Sequence, residues 1–160
     1  MTWLLRSATL DDLDAIMAIE ESEFTTDAWN SSSMRAELTS PHGHYLVAVA
    51  ETDPGTVVAY AGLLSPRNSG QGDIQTIAVL PTARRSGLGR ALMNALLTEA
   101  RGRGATEVFL EVRADNPGAK SLYDGLGFEE IAVRPHYYQP DDVDAIVMRL
   151  LLPTPTVVPA

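Results

Sequence analysis

The chain has 160 residues, 45% of them hydrophobic and 21% charged, which suffices for one domain with its own core and excludes global disorder. It has no cysteine, which excludes disulfides, thiolate metal sites and a cysteine nucleophile. Twelve Lys and Arg against 21 Asp and Glu give a net charge of −9, which opposes binding to nucleic-acid phosphate and suits a cationic partner.

Trp3 to Ala8 reads as a first strand, and Thr9-Leu10-Asp11-Asp12 as a capping-box-like helix start. Leu13, Ile16, Met17 and Glu20 then follow helical spacing. The acidic run Glu20-Glu21-Ser22-Glu23, like Asp11-Asp12-Leu13-Asp14 and Asp141-Asp142-Val143-Asp144, serves solubility as readily as substrate binding. A second helix is predicted from Asn30–Ser33 to Leu38, before Pro41. His44–Ala50 and Thr56–Leu64 form a predicted hairpin around the turn signal Thr52-Asp53-Pro54-Gly55. Gly72–Val79 is a further strand, ended by Pro81.

From Gly87 to Arg101, Leu88, Leu92, Ala95 and Leu96 make the apolar stripe of an amphipathic helix that Gly102-Arg103-Gly104 stops. Glu107–Arg113 alternates as a strand. Asn116-Pro117 caps a short helix through Ala119, Leu122, Tyr123 and Leu126 to Gly127, and Gly125 lowers its propensity. Phe128–Val133 and Val143–Leu150 are the last strands. The order implies one α/β domain over residues 1–152 with a mixed sheet, since residues 72–113 need a crossover helix and hence a parallel pair. Pro153–Ala160 is expected to be a loose tail. No stretch reaches the roughly 18 apolar residues of a membrane span, and the chain is expected to be cytoplasmic, a monomer or weak homodimer.

Gly87 and Gly89 stand where a strand has ended and a helix begins. Unpaired N–H groups and a positive dipole end favour an anion there, and Arg84, Arg85 and Arg90 add charge. The Walker loop fails because Arg90-Ala91 follows Gly89, and the dinucleotide fingerprint fails at Leu92. A loop that merely needs glycine geometry is the rival reading. His42, His44 and His136 have no partner at metal-ligand spacing, so no metal is expected. Ser31-Ser32-Ser33 reads as a helix cap, since no nucleophile elbow surrounds it.

Ile77-Ala78-Val79 followed by Arg84-x-x-Gly87-x-Gly89 and an amphipathic helix resembles the coenzyme-A motif of the GNAT acetyltransferase superfamily, whose element order is also the one read above. The block Leu110-Glu111-Val112-Arg113 with Asn116 and Leu122-Tyr123 resembles the bacterial ribosomal-protein alanine N-acetyltransferases within it. So do Arg134-x-x-Tyr137-Tyr138 with Asp144-Ala145-Ile146-Val147-Met148, and upstream Phe24, Ala28-Trp29 and Glu37-Leu38. Ser86 departs from the motif, standing where glycine, lysine or arginine is common. The resemblance implies a GNAT fold of about seven strands and about four helices, its parallel pair splayed around acetyl-CoA.

It implies that Ile77, Ala78 and Val79 offer backbone groups to the pantetheine arm. Arg84, Arg85, Ser86, Gly87, Leu88, Gly89 and Arg90 would hold the pyrophosphate, and Asn116 would bond the pantetheine. Acetyl transfer to an amine needs a neutral amine and a proton for the departing thiolate. The resemblance assigns these to Glu111 as general base, through water, and Tyr123 as general acid. Trp29, Tyr137 and Tyr138 would line the acceptor groove, the tyrosine doublet as a loop. Glu111 as a solvated edge charge, Tyr123 as a packing residue and Asn116 as only a cap remain competing readings.

The implied acceptor is the N-terminal alanine of a basic small-subunit ribosomal protein. An α-amine, with a pKa of about 7.7–8.0, is deprotonated more easily than lysine at about 10.4. A small amine such as a polyamine or aminoglycoside is the alternative acceptor, and a non-catalytic coenzyme-A-binding regulator the alternative of a different class.

Overall fold

The computed structural model describes residues 2–153, 158 and 159, and within them the elements follow the expected order. They are β1 (Trp3–Ser7), α1 (Leu13–Glu23), α2 (Ser31–Thr39), β2 (Gly43–Ala50), β3 (Asp53–Leu64) and β4 (Gln71–Val79), then α3 (Leu88–Gly102), β5 (Glu107–Arg113), α4 (Pro117–Gly125), β6 (Glu129–Tyr138) and β7 (Val143–Leu151). The expected tail over 153–160 lies largely outside the described residues.

The helix starts are set by side-chain caps. The Thr9 amide donates to Asp12 Oδ2 at 2.8 Å, closing the capping box ahead of α1. Asn30 Oδ1 accepts from the Ser33 amide at 2.8 Å and Asn116 Oδ1 from the Ala119 amide at 3.1 Å, opening α2 and α4.

The strands form one seven-stranded sheet ordered β1-β2-β3-β4-β5-β7-β6. Every neighbouring pair is antiparallel except β4 and β5, which α3 connects. Alternate residues of the central strands enter two cores. Leu46, Ala48, Ala61 and Leu63 join the α3 stripe of Leu88, Leu92, Met93 and Leu96 on one face. Tyr45, Val47 and Tyr60 join Leu13, Ile16 and Met34 of α1 and α2 on the other. Burial on both faces explains why β2 and β3 read as near-continuous apolar runs rather than half-polar ones.

Two local expectations are corrected. The hairpin turns at Glu51-Thr52, earlier than the Thr52–Gly55 signal, because Asp53 already pairs with Ala50 while the register slips between Val49↔Val57 and that pair. Pro54, with no N–H to add to a ladder, is accommodated in the slip. The Arg134–Tyr138 segment, expected as a loop, belongs to β6; the register jumps from Arg134↔Ala145 to Tyr138↔Val143, leaving 135–137 as a bulge with His136 at φ 56°.

The feature that makes a site is the end of the parallel pairing. β4 and β5 are in register only at Gln71↔Glu107, Gly72↔Val108 and Asp73↔Phe109. Beyond that, residues 74–79 and 110–113 part. β5 stays paired to β7 and β4 to β3, so the sheet opens without unravelling.

Candidate active site

A cleft of about 1180 Å³ occupies the gap between β4 and β5. Of the residues singled out from sequence, Ile77, Glu111, Asn116, Tyr123, Trp29, Tyr137 and Tyr138 all line it.

The β4 wall is backbone. The Leu80 amide donates to the Val58 carbonyl at 2.9 Å, so by strand alternation the amides of Ile77 and Val79 turn away from β3 towards the gap. The Ala78 side chain stands out of the sheet, into the α1/α2 core. A bulge in β4, where the register jumps from Gly62↔Thr76 to Leu63↔Ile74, leaves Gln75 as the extra residue. Gln75 and Thr76 consequently both meet the α1 side: the Tyr45 hydroxyl donates to Gln75 Oε1 at 2.7 Å, and Thr76 Oγ1 donates to Glu20 Oε1 at 3.4 Å.

After β4 the chain makes the glycine-arginine turn. Gly87 caps α3 at φ 79°, and Arg85 also adopts a left-handed φ of 61°. A Cβ at Gly87 would stand in open space, whereas one at Gly89 would reach Leu122 of α4 at 3.3 Å. Leu88 is buried in the core, leaving only its backbone for a ligand. Arg85 and Arg90 are exposed. Arg84 is otherwise engaged: Nε donates to the Val79 carbonyl at 3.1 Å and Nη2 to Glu23 Oε1 at 2.9 Å. Ser86 accepts from Trp3 Nε1 at 3.1 Å and donates to the Ala83 carbonyl at 2.6 Å, so it moors the turn to β1. A Cβ at Gly125 would lie 3.0 Å from the exposed Arg90 guanidinium, which can swing aside, so nothing in the structure explains the glycine there.

Glu111 projects from β5 with a side chain 28% exposed, and its Oε1 lies 3.4 Å from Arg134 Nε. Tyr123 is buried on α4, its ring edge-on to Phe128 with centroids 6.1 Å apart. Burial alone pushes its hydroxyl up to about 12, so it keeps its proton at neutral pH and is a hydrogen-bond donor. Asn116 both caps α4 and faces the cleft, so the two readings of it are compatible.

Tyr137 and Tyr138 pack edge-on at 5.1 Å, with Arg134 over the first ring and Arg113 over the second. Burial, aided by the charges of Glu111 and Asp27, raises Tyr138 to about 12. Trp29 lines the same cleft from the α1–α2 connection.

Sequence reasoning missed three groups. Glu20 was read within an acidic surface run, yet only 1% of it is exposed. Its Oε2 accepts from the Trp29 amide at 2.9 Å and its Oε1 from the Tyr60 hydroxyl, and burial raises its pKa against these bonds. Its place on the Leu13, Ile16, Met17 stripe was the available signal. Asp73 lines the cleft with its pKa raised by burial, opposed by the Gln71 amide and reinforced by the Glu111 charge. Arg113 gathers Asp27, Asp115 and Asp141. Among the described residues no cluster of three or more metal-ligating side chains occurs.

Residues 13–128 match the model of the acetyltransferase (GNAT) family. The chain is 39% identical over 125 residues to N-alpha-acetyltransferase RimI of Mycobacterium tuberculosis, covering 77% of this chain and 75% of that one. It is 49% identical over 76 residues to the ribosomal protein bS18-alanine N-acetyltransferase of Escherichia coli, 46% of this chain and 51% of that one. The crystal structure of the ribosomal-protein-S18-alanine N-acetyltransferase from Escherichia coli superposes with a TM-score of 0.82 at 29% identity, over 97% of each chain.

Proposed function

Because the chain belongs to the acetyltransferase (GNAT) family, we propose that it moves the acetyl group of acetyl-CoA to the N-terminal α-amine of a protein, the alanine terminus of the basic ribosomal protein bS18 being the acceptor. The observation that carries this reading is the pairing of a carboxylate, Glu111, and a protonated phenol, Tyr123, in one cleft opened by the parting of β4 and β5. The names of its bacterial relatives support the acceptor.

The residues present suit acetyl-CoA, which supplies the acetyl thioester. The turned-out amides of Ile77 and Val79 are free donors for an extended amide-bearing arm. The N-terminus of α3, which no side chain caps, with Gly87 and Gly89 and the exposed Arg85 and Arg90, suits a pyrophosphate. Arg84, already paired with Glu23, contributes through the shape of the turn.

Glu111 takes a proton from the incoming ammonium, directly or through water. An α-amine, with a pKa of about 7.7–8.0, is partly neutral already near pH 7.5, so the carboxylate has little to do compared with a lysine at about 10.4. Tyr123, still protonated, gives its hydroxyl proton to the sulfur as the amine nitrogen displaces it from the acetyl carbon. Trp29, Tyr137 and Tyr138 hold the acceptor chain.

The test is a panel of acceptors: alanine-initiated basic and acidic peptides, spermidine and an aminoglycoside, each with acetyl-CoA and read by mass spectrometry. Turnover highest on the basic alanine peptide is expected. Transfer only to the small amines would overturn the acceptor, and tight acetyl-CoA binding without transfer to any of them would make the protein a binder.

A further inference from the structure

The α1–α2 connection, which shares no strand pairing with its neighbours, meets the end of β5 and the β6–β7 turn, already joined through Arg113↔Ala145, on a single guanidinium at the outer mouth of the cleft. Arg113, the last residue of β5, donates through Nε and Nη2 to the two carboxylate oxygens of Asp115 at 2.9 and 3.0 Å. Nη2 also donates to Asp141 Oδ2, in the β6–β7 turn, at 3.0 Å. Nη1 lies 3.6 Å from Asp27 Oδ2, on the α1–α2 connection. The Tyr138 ring packs beneath, 5.1 Å from the guanidinium carbon. Thr26 Oγ1 donates to the same Asp141 oxygen at 2.6 Å, so the α1–α2 connection and the β6–β7 turn also touch directly.

This is an unusual investment for an ordinary surface arginine. The side chain is 18% exposed and faces three carboxylates, whose mutual repulsion would drive the segments apart if the cation were absent. Asp115 is two residues away and only aims the fork. Asp27 lines the cleft on the α1–α2 connection that also brings Phe24 and Trp29 to it, whereas Asp141 lies just outside, in the turn that follows the Tyr137-Tyr138 end of β6.

We propose that Arg113 is a positioning residue that clips the α1–α2 connection to the β6–β7 turn, fixing the width of the groove that receives the acceptor chain. The proposal rests on the reading of the acceptor as a protein N-terminus. A groove already held at its working width spares the acceptor the cost of ordering both segments, so the clip acts on acceptor binding rather than on the acetyl donor. Lysine replaces it poorly, because its ammonium on a flexible stem lacks the fixed planar fork that meets Asp115 through Nε and Nη2 while also reaching Asp141.

The experiment compares wild type, R113Q, R113K and D141N in two measurements: steady-state kinetics with an alanine-initiated basic peptide, and hydrogen exchange of residues 24–30 and 136–142 in the full chain. R113Q is expected to raise the peptide KM about tenfold or more while the acetyl-CoA KM stays within about twofold. Exchange in both segments is expected to quicken together. R113K and D141N should share the defect, and R113Q/D141N should be no worse than R113Q, as for residues acting through one contact.

Unchanged exchange in R113Q, or quickened exchange with an unchanged peptide KM, overturns the clip. A parallel rise in acetyl-CoA KM does so too, since it would mean general loosening. If R113Q does not fold, D141N and T26A carry both measurements from the far side of the contact. If wild type acetylates no N-terminal peptide, the functional reading falls, and the exchange result alone then decides whether the clip exists.

Discussion

At the scale of single residues, the proposed chemistry rests on Glu111 and Tyr123, which share the cleft. Glu111→Gln keeps the shape and removes the base, and is expected to lower kcat about a hundredfold while acetyl-CoA affinity holds. Tyr123→Phe should do the same from the acid side, since the ring's packing on Phe128 is retained. Equal loss of turnover and acetyl-CoA affinity in either variant would make it structural. Glu20 gives a pH test. Burial raises its folded-state pKa above the ordinary value of 4.5, so the folded protein holds this proton more tightly than the unfolded chain. Its contribution is fully present below about 4.5 and is lost as pH rises through the folded value. Glu20→Gln, which does not ionise, should therefore melt at a temperature that improves relative to wild type as pH rises from about 4.5 towards neutral. A difference independent of pH would mean that Glu20 titrates normally. The place of Glu111 and Tyr123 in the cleft was legible because their neighbours form a recognisable block. Glu20 was not, because a carboxylate in a run of carboxylates looks solvated until Tyr60 and Trp29, remote in sequence, are seen to enclose it.

At the scale of elements, glycines decide how closely pieces approach. The Tyr45 ring lies across Gly62 on the neighbouring strand, with its carbons as near as 2.2 Å to where a Cβ would stand. Gly62→Ala should cost about 1–3 kcal/mol in urea denaturation, as overpacking does; a loss under about 0.5 kcal/mol would mean that Tyr45 swings aside freely. The helices and strands were readable from caps and periodicity because Asn30, Asn116 and the Leu88, Leu92, Leu96 stripe act within a few residues of themselves. The end of β6 was not: Arg134-Pro135-His136 carries turn chemistry, and only pairing with β7 on either side of the bulge draws the segment into the sheet. The role of Arg84 was hidden for the same reason, since Glu23 is remote in the chain.

At the scale of the whole molecule, the net charge of −9 and the carboxylates Asp27, Asp115 and Asp141 near the groove argue for an acceptor that carries positive charge. The KM for a basic alanine peptide should therefore rise with added salt, since exposed charges more than about 10 Å apart are largely screened at 0.1 M. An uncharged alanine peptide should show no such rise; identical salt responses would remove charge from the account of specificity. The mixed sheet was legible from the crossover between residues 72 and 113. That the parallel pair splays was implied by the family resemblance, but the point where β4 and β5 part was not legible, because register at Asp73↔Phe109 and its absence beyond leave no mark in strand composition. That gap is what turns the sheet into a site. The most direct measurement of what the site does is the position of the acetyl group on a basic peptide that begins with alanine and contains an internal lysine, read by fragment mass spectrometry near pH 7.5. The account predicts acetyl on the α-amine alone, and acetyl on the lysine instead would contradict it.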